Sequence, residues 1–122
     1  MMGKRILIVD DNVGIAFLLR RSLARLTGGH EIETASSGEE ALGKMATESF
    51  DLVITDLQMP GMDGLELIKQ VQACHPGTKF VLVTACRSAE VEATASRLGL
   101  QGYLTKPFMK QQMLATVQAA LT

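Results

Sequence analysis

Two kinds of hydrophobic pattern alternate along the chain. Short, unbroken, β-branched runs stand at RILIV (5–9), LVIT (52–55) and KFVLVT (79–84), with a shorter one at GYLT (102–105). Unbroken apolar runs of this length suit strands buried on both faces. EIETA (31–35) alternates apolar and polar positions instead, as an edge strand does. The segments between them carry the helical period. From about Val13 to Leu26, Ile15, Leu19, Leu23 and Leu26 share one face, and Gly28 and Gly29 stop the helix. Ser37 and Glu40 form a capping-box pattern that opens a helix to about Glu48. Leu65, Leu67, Ile68 and Val71 lie on a helix from about Gly64 to Cys74, which Pro76 and Gly77 break. Ser88 caps a helix reaching Leu98, where Gly99 ends it. A last helix spans about Lys110 to Leu121, with Leu114, Val117 and Leu121 in register.

Strand followed by helix, five times over, predicts an α/β fold: a five-stranded parallel sheet, doubly wound, with helices on both faces in three layers. The 122 residues suit one domain, taken as 1–122. In such sheets ligands sit beyond the carboxyl ends of the strands, near the reversal of strand order. Asp10 and Asp11 follow the first run, Asp56 the third, Thr84 ends the fourth, and Lys106 with Pro107 follows the fifth. The alternation therefore carries these groups to one rim.

Taken alone, Asp10–Asp11 reads as an ordinary pair of solvated acids at a strand end. Joined by Asp56 it reads differently. Two carboxylates 4 Å apart repel by about 4 kcal/mol at a surface-like effective dielectric. One lysine leaves a site of three acids at −2, and a divalent cation balances that charge. Hard oxygen donors at an open rim favour Mg²⁺, or Mn²⁺ as the alternative ion. A metal, a nucleophilic carboxylate, an ammonium and a hydroxyl are the equipment for moving a phosphoryl group onto an aspartate.

Composition narrows the remaining choices. The chain is 47% apolar and 20% charged, with a net charge of −1. It has no Lys/Arg stripe of the kind that marks a nucleic-acid footprint. No apolar run approaches the ~18 residues of a membrane helix, and the N-terminal apolar run is too short for a signal peptide. The expectation is a cytoplasmic protein that contacts neither membrane nor nucleic acid through this domain. Cys74 and Cys86 fall at opposite edges of the sheet. A strand of about 17 Å separates them, far beyond the ~7 Å reach of a disulfide. His30 and His75 have no partner at metal-ligand spacing, and the seven methionines read as core filler and loop residues.

The segments ILIVDDN, DLVITDLQMPGMDG, VLVTA and GYLTKPF, in this order and spacing, are similar to the motifs of a known family. The chain resembles the receiver domain of two-component response regulators, near the stand-alone chemotaxis type, from about Lys4 to Leu121. The resemblance implies a flavodoxin-like (βα)₅ fold and a phosphorylation-operated signalling switch. Its catalysis would be confined to its own phosphorylation and dephosphorylation. It implies that Asp56 accepts a phosphoryl group from a sensor histidine kinase or phosphotransfer protein, for a downstream target that the motifs do not name. It further implies Mg²⁺ on Asp11 directly, on Asp10 mainly through water, and on Asp56 and the backbone carbonyl of Gln58. Thr84 and Lys106 would bind phosphoryl oxygens, and Tyr103 would swing inward on phosphorylation. Gln58 and Cys86 would tune the phosphoryl lifetime, and Lys106–Pro107 would be cis. Leu100 stands where the family usually has a small residue, and MKQQML follows KPF in place of an acidic residue and a leucine.

Three rivals share the architecture. A flavin carrier needs a Ser/Thr/Gly-rich phosphate loop after the first strand, where Asp10, Asp11 and Asn12 would repel the phosphate. A Mg²⁺-dependent phosphohydrolase with an Asp nucleophile usually has a second acid two residues on, and position 58 is Gln. A degenerate receiver acting only as a docking module would lack some of the five site residues, and all five are present.

Overall fold

The computed structural model describes residues 3–26 and 29–122. Five strands and five helices alternate through them: β1 (Arg5–Val9), α1 (Val13–Leu23), β2 (Glu31–Ala35), α2 (Gly38–Met45), β3 (Leu52–Asp56), α3 (Gly64–Cys74), β4 (Lys79–Thr84), α4 (Ala89–Leu98), β5 (Gly102–Thr105) and α5 (Lys110–Leu121). All strand pairs are parallel and the sheet order is β2-β1-β3-β4-β5. The direction of winding reverses between β1 and β3, which opens a crevice at their carboxyl ends.

The pleat divides the core into two layers. Ile6 and Ile8 of β1, Leu52 and Ile54 of β3, and Val81 and Val83 of β4 pack against Ala16, Leu19 and Leu23 of α1 and Met113, Val117 and Ala120 of α5. Leu7, Val9, Val53, Phe80 and Leu82 point the other way, onto Ala41 and Met45 of α2 and Leu67, Ile68 and Val71 of α3. The continuous apolar runs are thus explained: alternate residues serve opposite layers, and both layers are dry.

Some helix limits depart from the sequence expectation. α1 ends at Leu23 rather than Leu26; Arg25 and Leu26 close a tighter turn onto Ser22 and Leu23. Gly28, the expected stop, lies outside the described residues. α2 stops at Met45, three residues before Glu48. Its cap is also offset: the Ser37 hydroxyl accepts from the Glu40 amide, but Glu40 reaches back to the amide and hydroxyl of Ser36. Glu48 is drawn instead into a clasp on Arg5, which also pairs with Glu31 and Glu33 and lies over the Phe50 ring. That clasp ties β1, β2 and the turn before β3 at the end of the sheet away from the site. On α5 the buried stripe is Met113, Val117 and Ala120; Leu114 and Leu121 flank it, half-buried.

One turn fixes the position of the site. Gly64 opens α3, and its amide donates to the Leu57 carbonyl at 2.8 Å. A Cβ there would stand 2.3 Å from the carbonyl oxygen of Asp56. Only glycine lets the helix start come this close to the end of β3. Gly64→Ala therefore forces Asp56 or α3 to move. The expected loss of stability is about 3 kcal/mol, the upper range for overpacking. Chemical denaturation checks it, and a loss indistinguishable from zero would show that the turn yields.

Candidate functional site

Each acidic group is held by the local chemistry of its loop. β1 ends at Val9, and the amide of Asp10 still donates to Ala35 on β2 at 3.1 Å, which keeps the chain extended to the rim. The Asp10 carboxylate then accepts from the Asn12 amide at 2.9 Å. Asn12 caps α1 through its side-chain oxygen, which accepts from Ile15 at 3.1 Å. The turn between strand and helix is thereby fixed, with Asp10 turned inward and buried and Asp11 left exposed. Asp56 is the last residue of β3, paired in register with Val83 of β4. Its carbonyl accepts from the Thr55 hydroxyl at 2.9 Å, and its side chain is nearly buried.

Carboxylate oxygens of Asp10, Asp11 and Asp56 lie within 4.8 Å of one another. Lys106, carried in by β5, places its ammonium 3.5 Å from Asp56 and 3.6 Å from Asp10. The Lys106 amide also donates to the Thr84 carbonyl at 2.8 Å, which continues the sheet to the lysine. The Lys106–Pro107 peptide is cis. Burial is the largest influence on Asp56 and pushes its carboxyl above the ordinary aspartate range. Lys106 opposes this, while Asp10 and Asp11 add to it. The site thus gathers three acids and one cation, with more negative charge than the lysine can neutralise.

The other residues singled out by the sequence take varied positions. Thr84 is completely buried at the end of β4, and its hydroxyl both donates to the Cys86 carbonyl and accepts from the Cys86 amide, each at 3.1 Å. Gln58 and Cys86 are exposed on the loops after β3 and β4. Cys74 and Cys86 are both free and exposed. His30 accepts the Lys4 amide at 2.9 Å, and His75 terminates α3. Tyr103 is half-buried, and its hydroxyl is wholly enclosed with no hydrogen-bond partner among the described residues. The Arg87 guanidinium lies over the ring, 5.5 Å from its centroid.

Two residues that fix the site were not singled out as such. Asn12 was legible as a helix cap from its place after the aspartates. The sequence marks Gly64 as a helix start, but its closeness to the Asp56 backbone arises only in the fold.

The raised carboxyl of Asp56 has a consequence for stability. A carboxyl whose folded value lies above its unfolded value favours folding at low pH, and that contribution is lost as pH rises from the ordinary range through the folded value. Asp56→Asn is therefore expected to raise the melting temperature at neutral pH without divalent metal. The gain should shrink as pH falls through the raised folded value toward the ordinary aspartate range, and vanish below that range. Melting curves of both proteins across this range test the sign; a variant less stable at neutral pH contradicts it.

Residues 6–118 match the model of the response regulator receiver domain. The chain is 38% identical over 120 residues to the alkaline phosphatase synthesis transcriptional regulatory protein PhoP of Bacillus subtilis, covering 98% of this chain and 49% of that protein. It is 35% identical over 115 residues to the DNA-binding transcriptional regulator NtrC of Salmonella typhimurium, covering 94% of this chain and 24% of that one. It therefore spans about half the length of the first relative and a quarter of the second. Among solved structures, the chemotaxis protein CheY4 of Vibrio cholerae superposes with a TM-score of 0.89 at 34% identity, covering 99% of this chain and all of that one. A CheY-like receiver domain protein from Methanospirillum hungatei gives 0.87 at 31% identity, covering 98% of this chain and 94% of that one. An acidic rim of this kind, at the switch point of a β2-β1-β3-β4-β5 sheet and on a chain matched nearly end to end, leads to one conclusion: the chain belongs to the response regulator receiver domain family.

Proposed function

We propose that the chain works as a phosphorylation-operated switch in which Asp56 accepts a phosphoryl group from a phosphohistidine on a sensor kinase or phosphotransfer protein. The observation that carries this reading is the Asp56 carboxylate itself: a nearly buried acid, 3.5 Å from the Lys106 ammonium, among carboxylates that no other cation pairs with among the described residues. An Asp56 oxygen attacks phosphorus, the phosphorus–nitrogen bond breaks, and the imidazole leaves with its electron pair. Lys106 meets the charge on the phosphoryl oxygens, and Thr84 offers its hydroxyl from the neighbouring strand.

The three carboxylates fit a divalent cation. Their donors are hard oxygens, they converge within 4.8 Å, and one lysine leaves them negative. Asp10, Asp11, Asp56 and the Gln58 carbonyl would hold Mg²⁺, which when bound supplies charge neutralisation for an incoming phosphoryl group. The chain's chemistry would then be limited to acquiring and losing its own phosphoryl group.

The surface around the rim supports an external protein donor. The large apolar side chains left exposed among the described residues are Val13, Phe17, Leu18 and Met109, all on α1 or at the cap of α5. Val13 and Phe17 share a small cavity with Asp10. Among the described residues, no helix is long and apolar enough to cross a membrane.

Incubation with acetyl phosphate and Mg²⁺ should add one phosphoryl group to the chain and none to Asp56→Asn, read by intact mass. Equal modification of the variant would remove Asp56 from the role. Asp11→Asn should weaken Mg²⁺ binding by about tenfold or more, as loss of a coordinating or orienting group does. Isothermal titration measures this, and unchanged affinity would exclude Asp11 as a ligand.

A further inference from the structure

Phosphoryl chemistry alone does not account for Tyr103. Its ring packs against the core layer that α2 and α3 cover, and it lines a cavity with Glu92 and Ala95 of α4 and with Leu100. Its hydroxyl is the one buried side-chain polar atom without a hydrogen-bond partner among the described residues. Such a pose is unfavourable by itself, so something must hold it. Arg87 lies over the ring, its guanidinium carbon 5.5 Å from the centroid. The same guanidinium pairs with Glu92 of α4 at 2.9 Å. A cation facing the negative face of an aromatic ring is attracted to it, and the Glu92 pair fixes where that cation sits.

Arg87 is also one residue from the group that Thr84 grips. The Thr84 hydroxyl has a single proton, and Cys86 takes it through its carbonyl while returning its amide to the same oxygen. A threonine hydroxyl that donates to a phosphoryl oxygen must withdraw that proton from Cys86. The Cys86 carbonyl then loses its donor while the Cys86 amide stays on the hydroxyl oxygen and follows it, and Arg87 comes directly after Cys86 in the chain.

We propose that Arg87 is the positioning residue for Tyr103, clamping the ring against α4, and that Thr84 governs this clamp through the backbone of Cys86. The first half stands on the resting geometry alone. The second half rests on Asp56 being the phosphoryl acceptor. The two packings that the switch exchanges are then clamp engaged and clamp displaced, and the phosphoryl group biases them by competing for the Thr84 hydroxyl.

Tyr103 is the only tyrosine and the chain has no tryptophan, so tyrosine fluorescence reports on this ring without interference. Acrylamide quenching of the full chain, without metal, is the first measurement. Arg87→Ala should raise the quenching constant about threefold, the scale of a partly exposed cation–π contact. Arg87→Lys, which keeps a cation, should recover most of the protection; Arg87→Met, which keeps only the stem, should not. Equal quenching of wild type and Arg87→Ala overturns the clamp, and full protection by Met shows packing without charge and also overturns it. The second measurement adds Mg²⁺ and beryllium fluoride as the phosphoryl mimic. The constant should shift about twofold in wild type and stay fixed in Arg87→Ala, where the contact is already lost. A full shift in Arg87→Ala overturns the coupling. Asp56→Asn should abolish the shift and leave the first measurement untouched; a shift that persists there sinks the acceptor assignment while the clamp stands.

Discussion

Three carboxylates pressed together at one rim repel, and much of the surrounding structure exists to hold them there. Asp10 is turned inward by the Asn12 amide, Asp56 is locked into a sheet register, and a single ammonium answers both. Left to itself an acid in this setting would turn out to solvent or take up a proton. Burial pushes Asp56 toward the second course. The rim thus holds an excess of negative charge that a cation would offset.

The parallel sheet makes that arrangement affordable. Parallel strands send every carboxyl end to the same edge, so one short loop per strand delivers one group to the site without any long excursion of the chain. Both faces of the sheet are covered by apolar layers, and their stability offsets the repulsion among the carboxylates at the rim. At the far edge, charge is arranged in the opposite sense: Arg5 is surrounded by Glu31, Glu33 and Glu48. One edge is satisfied and the other is left in need, and only the second is suited to chemistry.

Much of this was legible in the sequence because short unbroken apolar runs alternate with segments of helical period. Strands 1, 2, 4 and 5 begin and end where the hydrophobic runs do, while β3 takes in Asp56 itself. The identity of the rim residues follows from that alternation alone. What escaped was set by contacts between distant segments. α2 ends at Met45 because Glu48 belongs to the Arg5 clasp, and no local signal names a partner forty-three residues away. The inward face of α5 rotated toward Met113 and Ala120 because β4 and β5 decide which stripe is covered, whereas leucines suggested Leu114 and Leu121. Gly64 carries no side chain from which a contact could be read. The pose of Tyr103 depends on an arginine in a loop whose sequence, CRSAE, reads simply as a polar turn.

That last case shows how a site and a surface become linked within so small a protein. Thr84 is buried, and its hydroxyl is committed to one neighbour. A buried hydroxyl has few alternatives, so any new acceptor at the rim competes directly with Cys86 instead of with water. The two acceptors compete for the same single proton. Beyond Cys86 the chain is exposed, and Arg87 and Ser88 meet solvent. A change of partner at a fully buried atom is therefore converted, within three residues, into a change of position at a charged surface group. No long pathway is needed; the coupling is as short as the turn between β4 and α4.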